Sequence, residues 1–207
     1  MIPIPLPVEK YENQLKTWPV EGNILLAHYT NDTIVVHQAY CNEIADYAIK
    51  YQTLGGEKFN FHRVTWVKPN FTWMTYRCGW AEKLNQERVL AIHLSRSFFD
   101  DILKQAVHTT LQRLMYETKE NWKLQLKSTN VIVQWDPDHI PFSHEKCQRR
   151  AIQLGLRPGI LQEYNKSIVS IHDITTFVKQ AAKNESISTL YTPVEKVYPY
   201  PSGMRPL

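Results

Sequence analysis

Six short runs rich in β-branched and aromatic residues, at 33–37, 63–67, 88–94, 131–135, 151–156 and 167–172, dominate the reading of this chain. Each has the length of a strand and is too short to stand alone as a helix. Segments with helical spacing lie between them. Asn42 can cap a helix reaching Tyr51, whose apolar positions Ile44, Ala45, Ala48 and Ile49 share one face. Ser97 with Asp100 reads as a capping box ahead of Ile102, Leu103 and Ala106. A shorter helix is expected over 69–79, carrying Phe71, Trp73, Met74 and Arg77, and a fourth after Asp173. Long alternating βα units are missing from this order. The expected fold is therefore α+β: a single domain with a mainly antiparallel, split sheet flanked by helices.

Seven of the 12 prolines sit near the ends: Pro3, Pro5, Pro7, Pro193, Pro199, Pro201 and Pro206. Proline fixes φ and lacks a backbone donor, so both ends are expected to be extended and without ladder partners. This divides the chain into a Pro-rich arm over 1–20, an α+β domain over 21–184 and a Pro-rich tail over 185–207.

Several function classes fall away on composition. Only seven glycines are present, and no Walker A or Rossmann loop can be built from them. The apolar runs are a few residues long, far below the roughly 20 needed to cross a bilayer, so no membrane partner is expected. The start of the chain has prolines where a signal peptide needs an apolar helix, which points to an intracellular protein, cytoplasmic or nuclear. Cys41, Cys78 and Cys147 are scattered and form no CxxC pair, as expected of reduced thiols. His139, His144 and Cys147 lie close together, but their spacing matches no closed zinc site, and no metal is expected. The net charge of +4 favours an anionic partner, either nucleic acid or a phosphorylated ligand.

The chemistry concentrates in 63–80, which holds three of the six tryptophans and no acidic residue. Arg63, Lys68 and Arg77 can meet phosphates or carboxylates, and Trp66, Trp73, Tyr76 and Trp80 can stack on flat rings. The same aromatics can equally serve as core, with the cations paired elsewhere. If 63–68 is a strand, Trp66 and Lys68 share a face opposite Thr65 and Val67. Two further groups end strands in polar residues: His37, Gln38 and Tyr40 before the Asn42 helix, and Gln134 with Asp136, where Pro137 should end the strand.

The combination His37-Gln38-Ala39-Tyr40, Arg63-x-Thr65-Trp66-x-Lys68-Pro69-x-Phe71-x-Trp73-Met74-x-x-Arg77-x-Gly79-Trp80, Gln134-Trp135-Asp136-Pro137 and Ile152-Gln153-x-Gly155-Leu156 resembles the family catalogued as domain of unknown function 4291. That resemblance implies membership and assigns no catalytic residue. The layout is also similar to the ADP-ribosyltransferase-like fold, in which NAD lies between two small sheets. Gln38 and Asp136 would then be catalytic, with Asp136 stabilising the departing sugar cation. His37, Tyr40, Arg63, Trp66, Lys68, Trp73 and Arg77 would hold the dinucleotide. The expected function is an ADP-ribosyltransferase-like enzyme using NAD with a nucleic-acid or protein acceptor. The alternatives are a non-catalytic nucleic-acid-binding module using 63–80, with RNA or DNA as partner, and a protein-interaction module.

Overall fold

The computed structural model describes residues 4–143, 145–202 and 204. The first third of the chain contains β1 (Val8–Lys10), α1 (Tyr11–Leu15), β2 (Gly22–Asn23), β3 (Leu26–Ala27), β4 (Thr33–Tyr40), α2 (Asn42–Tyr51) and β5 (Thr65–Val67). The middle holds α3 (Phe71–Arg77), β6 (Arg88–Ser95), α4 (Arg96–Gln105), β7 (Val107–His108), α5 (Lys119–Ser128) and β8 (Val131–His139). The last part adds β9 (Lys146–Leu156), α6 (Leu161–Lys166), β10 (Ile168–Asp173), α7 (Thr175–Ala181), β11 (Tyr191–Pro193) and β12 (Lys196–Val197).

The fold is α+β, with mostly antiparallel pairing. One sheet has the order β10-β6-β4, antiparallel throughout. The other has the order β2-β9-β8-β7, and β5 lies along the β2 edge of β9, beside its C-terminal half. Among the described residues, only β2 with β9 and β7 with β8 run parallel. An isolated bridge joins these two larger sheets: His37 N donates to Lys68 O at 2.7 Å, and Lys68 N donates to His37 O at 3.3 Å.

Burial follows from this layering. Ile34 and Val36 of β4 face a core shared with Leu90 and Ile92 of β6, Val133 and Trp135 of β8, and Ile152 and Leu154 of β9. Val35 faces the opposite way and packs with Phe71 and Met74 of α3 and Phe177 and Val178 of α7. With both faces covered, the strand reads as a continuous apolar run without alternation. Each such side chain contributes roughly 1.5–3 kcal/mol by leaving water.

Several expectations change in detail. The cap before α4 is Ser95, which accepts from Phe98 N at 3.2 Å, and not Ser97; β6 runs straight into the helix, so the turn falls two residues earlier. α2 is preceded by Cys41 as its cap residue, with Asn42 already helical. β8 does not stop at Pro137 but continues through a register shift to His139. β7 covers only Ile132 and Val133, so beyond them β8 has an unpaired edge, where a proline's missing donor costs no ladder bond. The described segments near both ends do find ladder partners. β1 pairs with β11 and β12 pairs with β3, so distant segments provide the ladder partners that local sequence lacked. Pro3 and Pro206 lie outside the described residues.

Candidate functional site

Pro69 shapes the site first. A residue before proline is pushed to extended backbone, and Lys68 is accordingly the extended residue that closes the bridge to His37. Asn70 then caps α3, its Oδ1 accepting from Trp73 N at 2.6 Å and from Thr72 Oγ1 at 2.9 Å. Strand, bridge and capped helix follow within a few residues, and together they form one wall of a cleft at the split between the sheets.

The cleft has a volume of about 750 Å³. Gln38 and Tyr40 line it at the end of β4, Trp66 and Lys68 line it beside β9, and Arg77 reaches it from α3. Gln134 and Gln153 form its floor, and Lys58, Asn60 and Arg63 come from the loop before β5. Four cationic side chains, Lys58, Arg63, Lys68 and Arg77, therefore line the cleft, and no Asp or Glu among the described residues lines it with them. This arrangement attracts an anion and has no internal counter-ion at the surface where the anion would sit.

The expected site residues divide into three groups. Gln38, Tyr40, Arg63, Trp66, Lys68 and Arg77 come together in the cleft. Gln38 is clamped there: its Nε2 donates to Trp66 O at 3.0 Å and its Oε1 accepts from Tyr164 Oη at 2.7 Å. Tyr40 packs edge-on to Phe59 at 6.1 Å, and burial pushes its hydroxyl pKa well above the ordinary tyrosine value. Lys68 is only 8% exposed. Burial, reinforced by the Arg77 charge, lowers its pKa to about 8, opposed by Cys78 and Asp136.

His37 and Trp73 are not in the cleft. His37 stands on the opposite face of β4, where its Nδ1 is 3.1 Å from Pro69 O and its ring meets Phe71 edge-on at 5.7 Å. Burial lowers its pKa to about 4, so it is neutral and cannot hold a pyrophosphate by charge. Strand alternation explains the miss, since His37 and Gln38 must point to opposite faces. Trp73 stacks with Tyr76 at 5.7 Å and His139 at 5.8 Å, and its contact with the cleft is indirect, through the Arg77 guanidinium 6.0 Å from its ring.

Asp136 shares the face of β8 that carries Gln134 and lies beside the floor without lining the cleft. Its Oδ1 accepts from Gln134 Nε2 at 2.9 Å and its Oδ2 from Gln153 Nε2 at 2.6 Å. With those nitrogens committed, each glutamine amide oxygen is turned away from Asp136. Asp136 lines a second cavity of about 570 Å³, together with Asn23, His108 and Arg150, and Gln134 lines both cavities. Sequence reading missed Lys58, Asn60 and Gln153 as lining residues. The interleaved Lys58-Phe59-Asn60-Phe61 run, which puts basic and amide groups between aromatics, was the available signal for the first two.

Among the described residues no group of three or more His, Cys, Asp or Glu side chains is placed to hold a metal ion. His139 is stacked on Tyr76 at 3.6 Å, and His144 lies outside the described residues. No helix among them is long and apolar enough to cross a membrane. The family model described as domain of unknown function (DUF4291) matches residues 24–198. No curated protein matches the chain.

Proposed function

This chain belongs to the DUF4291 family, and we propose that it binds NAD in the cleft between its two sheets and acts as an ADP-ribosyltransferase-like enzyme on a nucleic-acid or protein acceptor. The observation that carries this reading is the cleft lining: four cationic side chains together with the aromatic rings of Trp66 and Tyr40. A volume of about 750 Å³ is within the usual range for a site that encloses a small ligand. Arg63, Arg77, Lys58 and Lys68 would meet the pyrophosphate, where a charge-assisted hydrogen bond contributes about 1.5–3 kcal/mol. Trp66 would lie against a base or the nicotinamide ring.

In the transfer step the nicotinamide–ribose bond breaks, nicotinamide leaves with the bonding pair as a neutral molecule, and positive charge develops on the sugar. A carboxylate held near that charge lowers the barrier because its attraction grows toward the transition state. Asp136 is the carboxylate beside the floor, on the same face of β8 as Gln134; it acts by charge on Lys68 of the cleft, and Gln134 and Gln153 hold it in one orientation. The acceptor's nucleophilic atom then bonds to the sugar carbon and gives up its proton. The test is nicotinamide release from NAD by the purified protein, with and without RNA, DNA or protein acceptors, compared with Asp136→Ala. Release lost in the folded variant supports the reading, and no release from the parent protein under any condition removes it.

A second reading rests on a different observation. Tyr76 is 45% exposed and stacks on His139 at 3.6 Å, with Arg77 beside it, which suits a platform for unpaired bases. Binding of single-stranded oligonucleotides weakened by Tyr76→Ala, with no NAD turnover, would favour that reading.

A further inference from the structure

The described part of the chain contains two cations that are nine-tenths or more buried, and they are treated differently. Arg149 sits against Asp138, its Nε and Nη2 donating to Asp138 Oδ2 at 2.9 and 2.7 Å, and its Nη1 reaching Pro19 O at 3.1 Å. Lys68 is as deeply placed, with 8% of its surface exposed, yet its amine forms no ion pair with a described residue. It lines the cleft, a space that a ligand can occupy.

A buried charge without a partner is costly, and a lysine escapes that cost by giving up its proton. The neutral amine is a nucleophile. Lys68 is also held in place, because its backbone is bonded in both directions to His37 and the following Pro69 fixes it as extended. Arg77 at the end of α3, Cys78 just after it and Asp136 of β8 are the ionisable groups acting on it, and Arg77 has the largest effect after burial itself. A neighbouring cation is a known means of activating a lysine toward carbonyls.

We propose that the Lys68 amine is a carbonyl-trapping nucleophile, forming an imine with a phosphorylated aldehyde whose phosphate is taken by Arg63, Arg77 or Lys58. The nitrogen lone pair attacks the carbonyl carbon, and a C–N bond forms. The carbonyl oxygen takes up protons, one from the amine and one from solvent, and leaves as water, which gives the protonated C=N bond. No oxidant or reductant takes part. Trp66, on the same wall, offers a face to a flat aldehyde. Burial and Arg77 together set the Lys68 pKa at about 8. About a tenth of the amine is then neutral at pH 7, against well under a hundredth for an ordinary surface lysine. The proposal goes beyond the NAD reading, since it needs the cleft to accept a phosphate but needs neither NAD nor Asp136 chemistry.

The experiment uses the full chain with pyridoxal 5′-phosphate as probe and pyridoxal as the phosphate-free control. Borohydride then reduces the imine, and peptide mapping locates the label. Lys68 should be labelled ahead of the exposed lysines, with an excess of about tenfold for the phosphorylated probe, the size of one charge-assisted contact. Arg77→Gln should move the pH midpoint of Lys68 labelling upward, because it removes a neighbouring positive charge. Lys68→Met should lose the fast-reacting fraction while surface labelling continues. If that variant does not fold, the map of the parent protein and the Arg77→Gln midpoint still decide. Label spread over lysines in proportion to their exposure, or a midpoint indifferent to Arg77, overturns the proposal. Lys68 labelling in a protein that does not bind NAD would leave it standing and remove the nucleotide reading instead.

Discussion

Trp66 lies across Gly155, so close that a Cβ at 155 would stand 3.1 Å from Cη2 of the indole and 2.7 Å from Cγ1 of Ile132. The register explains the crowding: Gly155 is paired with Trp66 on one side and Ile132 on the other, and all three side-chain positions share one face of the sheet. The close approach of glycine backbone seats the indole on the cleft wall. Gly155→Ala should destabilise the protein by about 1–3 kcal/mol through overpacking. It should also weaken ligand binding by displacing Trp66. Urea unfolding and calorimetric titration with NAD measure the two effects, and no change in either would mean that the indole is not held by this contact.

Removing single cations from the cleft should weaken NAD binding without unfolding the protein. Arg63 and Arg77 are both exposed residues that line the cleft. Arg63→Gln and Arg77→Gln are each expected to lower affinity about tenfold, the loss of one charge-assisted phosphate contact. The salt dependence of binding should become shallower in each variant, because fewer charges are left to screen. Calorimetry at low and high salt checks both statements. Undiminished affinity in both variants would place the phosphates elsewhere.

The tail contributes a buried acid that should be visible in the pH dependence of stability. Glu195 is buried, accepts from Phe71 N at 2.6 Å and from Asn70 Nδ2 at 3.0 Å, and so fastens the tail to the start of α3. Burial pushes its pKa from 4.5 to about 8, against the pull of those bonds and of Arg149, and with a push from Asp138. The folded state therefore holds an extra proton between those two values. Its contribution is fully present below the unfolded pKa and declines as pH rises through the folded one, by a few kcal/mol at most. Unfolding free energy should fall from about pH 5 to about pH 8, and Glu195→Gln should flatten that slope. A slope unchanged by the substitution would assign it to another group.

Asp138 and Arg149 should behave as a unit. Their side chains are 1% and 4% exposed at a separation of 2.7 Å. Asp138→Ala strands a guanidinium in the interior and should cost about 3–5 kcal/mol. The double variant Asp138→Leu/Arg149→Met should cost less than either single change to alanine, because no unpaired charge is left behind. Chemical denaturation of the set measures this, and strictly additive losses would contradict it.

Much of the local structure was legible from residue order. The 42–51 run, with apolar residues at helical spacing, became α2, and the run before Pro69 became β5, followed by a capped α3. Alternation also placed Trp66 and Lys68 together on the cleft side, with Val67 turned into the core, although Thr65 reaches the cleft as well. The same rule, applied to His37 and Gln38, shows that only one of two adjacent residues can face a given site. Which face of β4 lines the cleft depends on what packs against it, and that is not a property of the strand. α5 went unread because none of its residues is buried, so the apolar stripe that marks a helix is weak there.

Sequence by itself determined the α+β class, the order of the main strands and helices, and the cluster of cations and aromatics over 63–80. These follow from periodicity, capping and proline geometry, which act over a few residues. Tertiary structure decided that β1 pairs with β11 near the other end of the chain, that two glutamines hold Asp136 beside the cleft, and that Arg149 has a counter-ion while Lys68 has none among the described residues. Those outcomes depend on which distant groups share a low-dielectric interior, because burial and pairing set the cost of a charge, and neither can be read from a residue's neighbours in sequence.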